Sequence, residues 1–284
     1  MNKSLIIFLS IVFWLGAVQC ESRTSQKNIS HKDSTDTTTV CQAQVPEAPV
    51  MFPPGVIALQ KAYPDFVKGY EDGMLLLADN TKMRYDDGVK KSFTEMLDNS
   101  DPQDMFELEY NKESSSPGYL QDAGRSRCDL FFKKMYGSSA SSVRQHLVSV
   151  QWFGGKVQFT KLNGAADSLR AVYKELANHP DLRPYLKSSG TFYWRKVRGA
   201  NRQSAHSYGI AIDVGVALSD YWLWKYPGKK ETDKIQYHNR MPLKMVEIFE
   251  RHGFIWGGRW YHFDTMHFEF RPEILMMSDK KNNK

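Results

Sequence analysis

Two short stretches near the C-terminal end hold the side chains best suited to chemistry. Ser204-Ala205-His206-Ser207-Tyr208-Gly209-Ile210-Ala211-Ile212-Asp213 carries one histidine and one aspartate. Asp264-Thr265-Met266-His267-Phe268-Glu269 supplies a second histidine and two more carboxylates. Two imidazoles and one carboxylate are the donor set of an open zinc site, with a fourth position left for water. A further carboxylate beside that water would serve as general base. Taken alone, His206 and Asp213 read as a surface histidine and a solvated acid at a strand end. The second stretch alters that balance. Charged groups set among Phe263, Phe268 and Phe270 imply a part-buried polar site, which needs pairing or a metal.

Specific elements must carry these groups. Ser207-Tyr208-Gly209 reads as a turn, because Gly209 allows a backbone angle that other residues resist. A strand from Gly209 to Val216 then carries Asp213 toward its far end. Met266 to Phe270 reads as a last strand, and alternation puts His267 and Glu269 on one face. Glu269 there suits a bond to a ligating imidazole better than a direct catalytic role. Asp264 lies three residues before His267, where a turn could bring both near one ion. His262, beside that cluster, could assist in the site, but it reads better as a packed or exposed histidine.

Around the site, Leu169, Val172, Tyr173 and Leu176 follow helical spacing, and His179-Pro180 stops that helix. A second helix starts near Pro242, presents Leu243, Val246 and Phe249, and ends at Gly253. Gly73 to Tyr85 suggests two short strands around Asp79-Asn80. Lys156 to Phe159 and Gly190 to Trp194 are β-prone, and Val143 to Trp152 is ambiguous between helix and strand. This mixture predicts an α+β fold, a single domain with a mostly antiparallel sheet flanked by helices.

Composition narrows the class. The chain has 284 residues, 41% hydrophobic and 13% aromatic, which is ordinary for a globule with a sizeable core. Its net charge of +6 is spread out, without a Lys/Arg block interleaved with aromatics, so no nucleic-acid partner is expected. Residues 1–20 have a short positive start, an apolar run from Leu5 to Leu15 and small residues after it, the layout of a secretory signal peptide. Cys20 is either removed with that leader or a candidate lipid anchor. Residues 21–50 are polar and rich in Ser and Thr, and read as a flexible tether ahead of a domain spanning 51–284. Export to the periplasm or cell envelope is the expected location. In an oxidising compartment Cys41 and Cys128 could be bridged.

Ser204, His206, Gly209, Ala211 and Asp213 match the pattern Ser-x-His-x-x-Gly-x-Ala-x-Asp, and Asp264-Thr265-Met266-His267 places an acid just before the second histidine. In both respects the chain resembles the M15 zinc peptidases, the D-alanyl-D-alanine carboxypeptidases and dipeptidases that cut bacterial cell-wall peptides. The resemblance covers a core of about 162–275 and implies a hedgehog/D-Ala-D-Ala-peptidase-like fold. It implies His206, Asp213 and His267 as ligands of a zinc ion (Zn2+), Asp264 as catalytic base and peptidoglycan peptides as substrate. An arginine after an aromatic stretch holds the developing oxyanion in this family. Phe192-Tyr193-Trp194-Arg195 resembles that element, so Arg195 is the implied residue, with Arg198 and Arg202 as neighbours that compete for the role. The alternative function is a non-catalytic zinc-bearing module that grips wall peptides.

Overall fold

The computed structural model describes residues 52–281 with the exception of Ser115. The expected signal peptide, the tether, Cys20 and Cys41 therefore lie outside the described residues, while Cys128 is a buried thiol.

Nine strands form three antiparallel sheets among the described residues. β1 (Val67–Glu71), β2 (Met74–Leu77) and β3 (Lys82–Arg84) make a meander, and β4 (Leu147–Trp152) pairs with β5 (Gly155–Thr160) as a hairpin. The third sheet runs in the order β6 (Ser188–Gly190), β7 (Ala211–Val214), β9 (His267–Phe270), β8 (Phe254–Trp256). With the helices around them these sheets make an α+β architecture. The strand pairing is antiparallel throughout, as expected, but it is divided among three sheets rather than gathered in one.

Helices Ala165–Leu176 and Leu243–Arg251 match the two helical patterns of the sequence. The first buries Leu169, Val172 and Leu176, and the second buries Met245, Val246, Ile248 and Phe249. Val143 to Trp152, ambiguous in sequence, divides into a short helix, Ala140–Arg144, and β4. Gly190 to Trp194 is mostly not a strand. Only Ser188–Gly190 joins the sheet, because the residues after it lie against the tight turn that bears His206, with the Tyr193 amide donating to the His206 carbonyl at 3.2 Å.

The sheet that matters has two faces of opposite character. In β9, Phe268 and Phe270 pack into the core, where the Phe268 ring stacks on Phe249 at 3.9 Å. Alternation sends His267 and Glu269 to the other face. Burying a phenylalanine side chain contributes about 2–3 kcal/mol, so the aromatic face fixes the register of the strand and with it the positions of the two polar residues.

Candidate active site

Register brings the central pair together. Asp213 on β7 lies directly opposite His267 on β9, and Ala211 lies opposite Glu269. Side chains of directly paired residues project from the same face of a sheet. His206 arrives from the tight turn Ala205–Tyr208, closed by the amide of Gly209 on the His206 carbonyl at 3.2 Å. Gly209 has φ +66°, and a Cβ there would stand 2.5 Å from Leu147, so the turn accepts glycine for both angle and space.

The three side chains then converge. His206 Nε2 is 3.2 Å and His267 Nδ1 is 3.1 Å from the same oxygen, Oδ1 of Asp213. The opposite ring nitrogens are already engaged. His206 Nδ1 faces the carbonyl of Thr191 at 2.7 Å, and His267 Nε2 faces Glu269 at 3.4 Å. Each outer nitrogen thus meets an acceptor; with the ring protons placed there, two lone pairs are aimed at one carboxylate oxygen. Three acceptor atoms within 4.8 Å of one another repel unless a cation sits among them. His267 records the same demand. Burial alone would depress its imidazole, but the bonds to Asp213 and Glu269 outweigh burial and push it up to about 10. Burial likewise opposes the Asp213 charge, and the two imidazoles overcome it and lower the carboxyl. Two nitrogens and one carboxylate oxygen, each imidazole braced from behind, are a donor set that suits zinc.

Asp264 sits beside this triad. Its amide bonds to the Gly257 carbonyl at 3.0 Å, and a Cβ at Gly257 would come 2.4 Å from the Asp264 carbonyl, so the close approach requires a glycine. The Asp264 Oδ1 atom is buried without a hydrogen-bond partner. Burial pushes its carboxyl up to about 6; the His267 charge works against that, and the Asp213 charge adds to it. Glu269 has the opposite environment. Burial would raise it, but Arg127 at 3.0 Å, His267 and Arg271 at 3.1 Å hold it down at about 2.

A cleft of about 440 Å³ opens over these groups, and His206, Asp213, Asp264 and His267 all line it. Among the three arginines near the first histidine, the surroundings differ. Arg202 is buried and bound to Asp98 at 2.6 Å and Glu231 at 3.3 Å. Arg195 and Arg198 are exposed and line the cleft, with no acid partner for either guanidinium among the described residues; that of Arg195 donates to the Lys196 carbonyl at 3.3 Å. Arg195 is also tied to the histidine turn. Its amide donates to Ser207 Oγ at 2.9 Å, and that hydroxyl donates back to the Arg195 carbonyl at 2.8 Å.

Residues 198–270 match the family model described as D-alanyl-D-alanine carboxypeptidase. Over that stretch the chain is similar to the M15 peptidases. The match spans about a quarter of the chain and contains all four of His206, Asp213, Asp264 and His267, while Arg195 lies three residues ahead of it. Comparison with curated proteins and with solved structures returned no match.

The matched segment does not build the cleft alone. Arg125 and Arg127, from the loop before helix Asp129–Tyr136, line the cleft as well. Asp122 clamps His262 from below, accepting from its ring Nδ1 at 2.5 Å and from its amide at 3.0 Å. Arg125 bonds Asp122 at 2.7 Å and grips both oxygens of Glu231 at 2.9 and 2.8 Å. Asp122, Glu231 and His262 form a second group with metal-ligand chemistry. Here, however, a guanidinium already supplies the positive charge. Sequence reasoning singled out His262 but missed Asp122, Arg125 and Glu231, since Asp122 and His262 stand 140 positions apart.

Proposed function

We propose that this protein is a zinc-dependent peptidase that hydrolyses a peptide bond in bacterial cell-wall peptides. The observation that carries the reading is the convergence of two braced imidazoles on one Asp213 oxygen, with the Oδ1 atom of Asp264 unpartnered beside the same cleft. The M15 match supports hydrolase chemistry on wall peptides. Within that class, hydrolysis at a D-Ala-D-Ala terminus is the first substrate to test.

His206 Nε2, Asp213 and His267 Nδ1 would hold the zinc ion. A zinc so held supplies Lewis acidity toward the scissile carbonyl and brings the acidity of a water toward neutrality. Thr191 and Glu269 fix the ring tautomers, so that the lone pairs stay directed inward. Asp264 accepts the proton of the attacking water and returns one to the leaving amine. A carboxyl raised by burial is a stronger base than a solvated one, which suits that exchange. Arg195, free of an acid partner, donates to the oxygen on which charge develops. Export of the chain to the cell envelope belongs to the same reading, since its substrate lies there.

Purified protein incubated with muropeptides, with and without a chelator, tests this directly. Mass spectrometry should find a chelator-sensitive product that differs from substrate by one hydrolysed bond, and its mass identifies the bond. Intact muropeptides after incubation with zinc-loaded protein would overturn the reading.

A further inference from the structure

His262 is built into the cleft wall in a way that packing alone does not require. Its side chain is fully buried, and its ring lies against Phe93 at 5.8 Å and edge-on to Trp222 at 4.6 Å. Asp122 holds both its Nδ1 and its amide, so the ring cannot turn. The far nitrogen, Nε2, is buried with no hydrogen-bond partner, and His262 lines the same cleft as Asp264. A buried polar atom without a partner is costly, and native proteins keep few of them. A carboxylate clamp on one ring nitrogen sets the tautomer and orientation of the other. Nδ1–H donates to Asp122, which also accepts from Arg125 at 2.7 Å. With Nδ1–H committed to Asp122, the lone pair of that tautomer lies at Nε2.

We infer that His262 is a substrate-contacting residue whose Nε2 accepts a hydrogen bond from a backbone N–H of the peptide bound in the cleft, with Asp122 as its positioning residue. This rests on the wall-peptide reading above and adds to it a determinant of how the peptide is seated. A phenylalanine would keep the packing and lose the acceptor, whereas a glutamine would keep a polar amide.

The test uses zinc-loaded full-length Asp264→Asn protein and a synthetic wall-peptide stem ending in D-Ala-D-Ala, followed by calorimetry. Adding His262→Phe should weaken binding about tenfold, with zinc content unchanged, and His262→Gln should recover part of the loss. Stems N-methylated at one amide at a time identify the donor. At one position the methyl group should weaken binding to the His262 protein and have no further effect on the His262→Phe protein. Equal affinity of the His262 and His262→Phe proteins would overturn the inference, as would methylation penalties that add in full at every position. A nitrogen-15 spectrum of the unsubstituted ring offers a check independent of how the variants fold. On addition of the stem, Nε2 should move away from its lone-pair position, and an unmoved signal at saturating peptide would count against the contact. Hydrolysis of the stem by the Asp264→Asn background would instead count against the assigned base, an outcome separate from these.

Discussion

Two clusters of the same residue types share one cleft, and they differ in what holds their charge. His206, Asp213 and His267 gather two imidazoles on one carboxylate oxygen with no lysine or arginine bonded to any of the three among the described residues. Asp122, Glu231 and His262 gather around the Arg125 guanidinium. The first arrangement asks for a cation from outside, and the second already has one within the chain. Clustering of His, Asp and Glu is therefore weak evidence for a metal until the ring nitrogens have been followed to their partners. In the first cluster the outer nitrogens are occupied and the inner ones both face one Asp213 oxygen. In the second the inner nitrogen is occupied and the outer one is left over.

The sharpest break between the clusters should come from removing the metal or one of its ligands. Chelation, or His206→Ala, is expected to lower wall-peptide hydrolysis by about 10³-fold or more, measured as kcat/KM on muropeptides. Asp264→Ala comes next. Turnover should fall about 10²- to 10⁴-fold while zinc content by elemental analysis stays at the level of the unmutated protein. Equal loss of metal would move Asp264 into the ligand set.

A smaller effect separates the arginines. Arg195→Ala should reduce kcat about 10²-fold, and Arg198→Ala should change it only a few-fold, because only Arg195 is laced to the His206 turn through Ser207. The reverse order would reassign the oxyanion contact.

The second cluster should respond mainly in stability. Burial opposes the Asp122 charge, and Arg125 and His262 overcome it and lower the carboxyl below its ordinary value near 4. A carboxyl depressed in the folded state contributes stability above its unfolded pKa and loses it as pH falls through the folded one. Asp122→Asn should then cost about 3 kcal/mol near neutrality, with the gap from the unmutated protein narrowing below about pH 4. Thermal melts across that range check both the size and the sign.

The two clusters also differ in how far the sequence exposes them. His206 and Asp213 sit on one turn and the strand after it, and His267 and Glu269 on one strand, so local periodicity relates the members of each pair. Their joining depends on one register, Asp213 opposite His267, which the aromatic face of β9 enforces. The helices were legible for a similar reason, since each carries its apolar stripe within nine to twelve residues. Gly190 to Trp194 misled because strand propensity says nothing about whether a partner strand is available. Asp122, Arg125 and Glu231 could not be read at all. Asp122 reaches His262, and Arg125 reaches Glu231, across more than a hundred residues, and an acid beside two arginines looks the same solvated or buried. The region before Leu162, silent in motif terms, turns out to build one wall of the cleft.

The central claim is that His206, Asp213 and His267 hold one metal ion and that the neighbouring histidine cluster holds none. Zinc content of the purified protein, compared across His206→Ala, His267→Ala and His262→Phe, tests it most directly. The account predicts about one zinc per chain, lost in the first two variants and retained in the third. Zinc that persists in both triad variants, or that disappears only with His262, would contradict it.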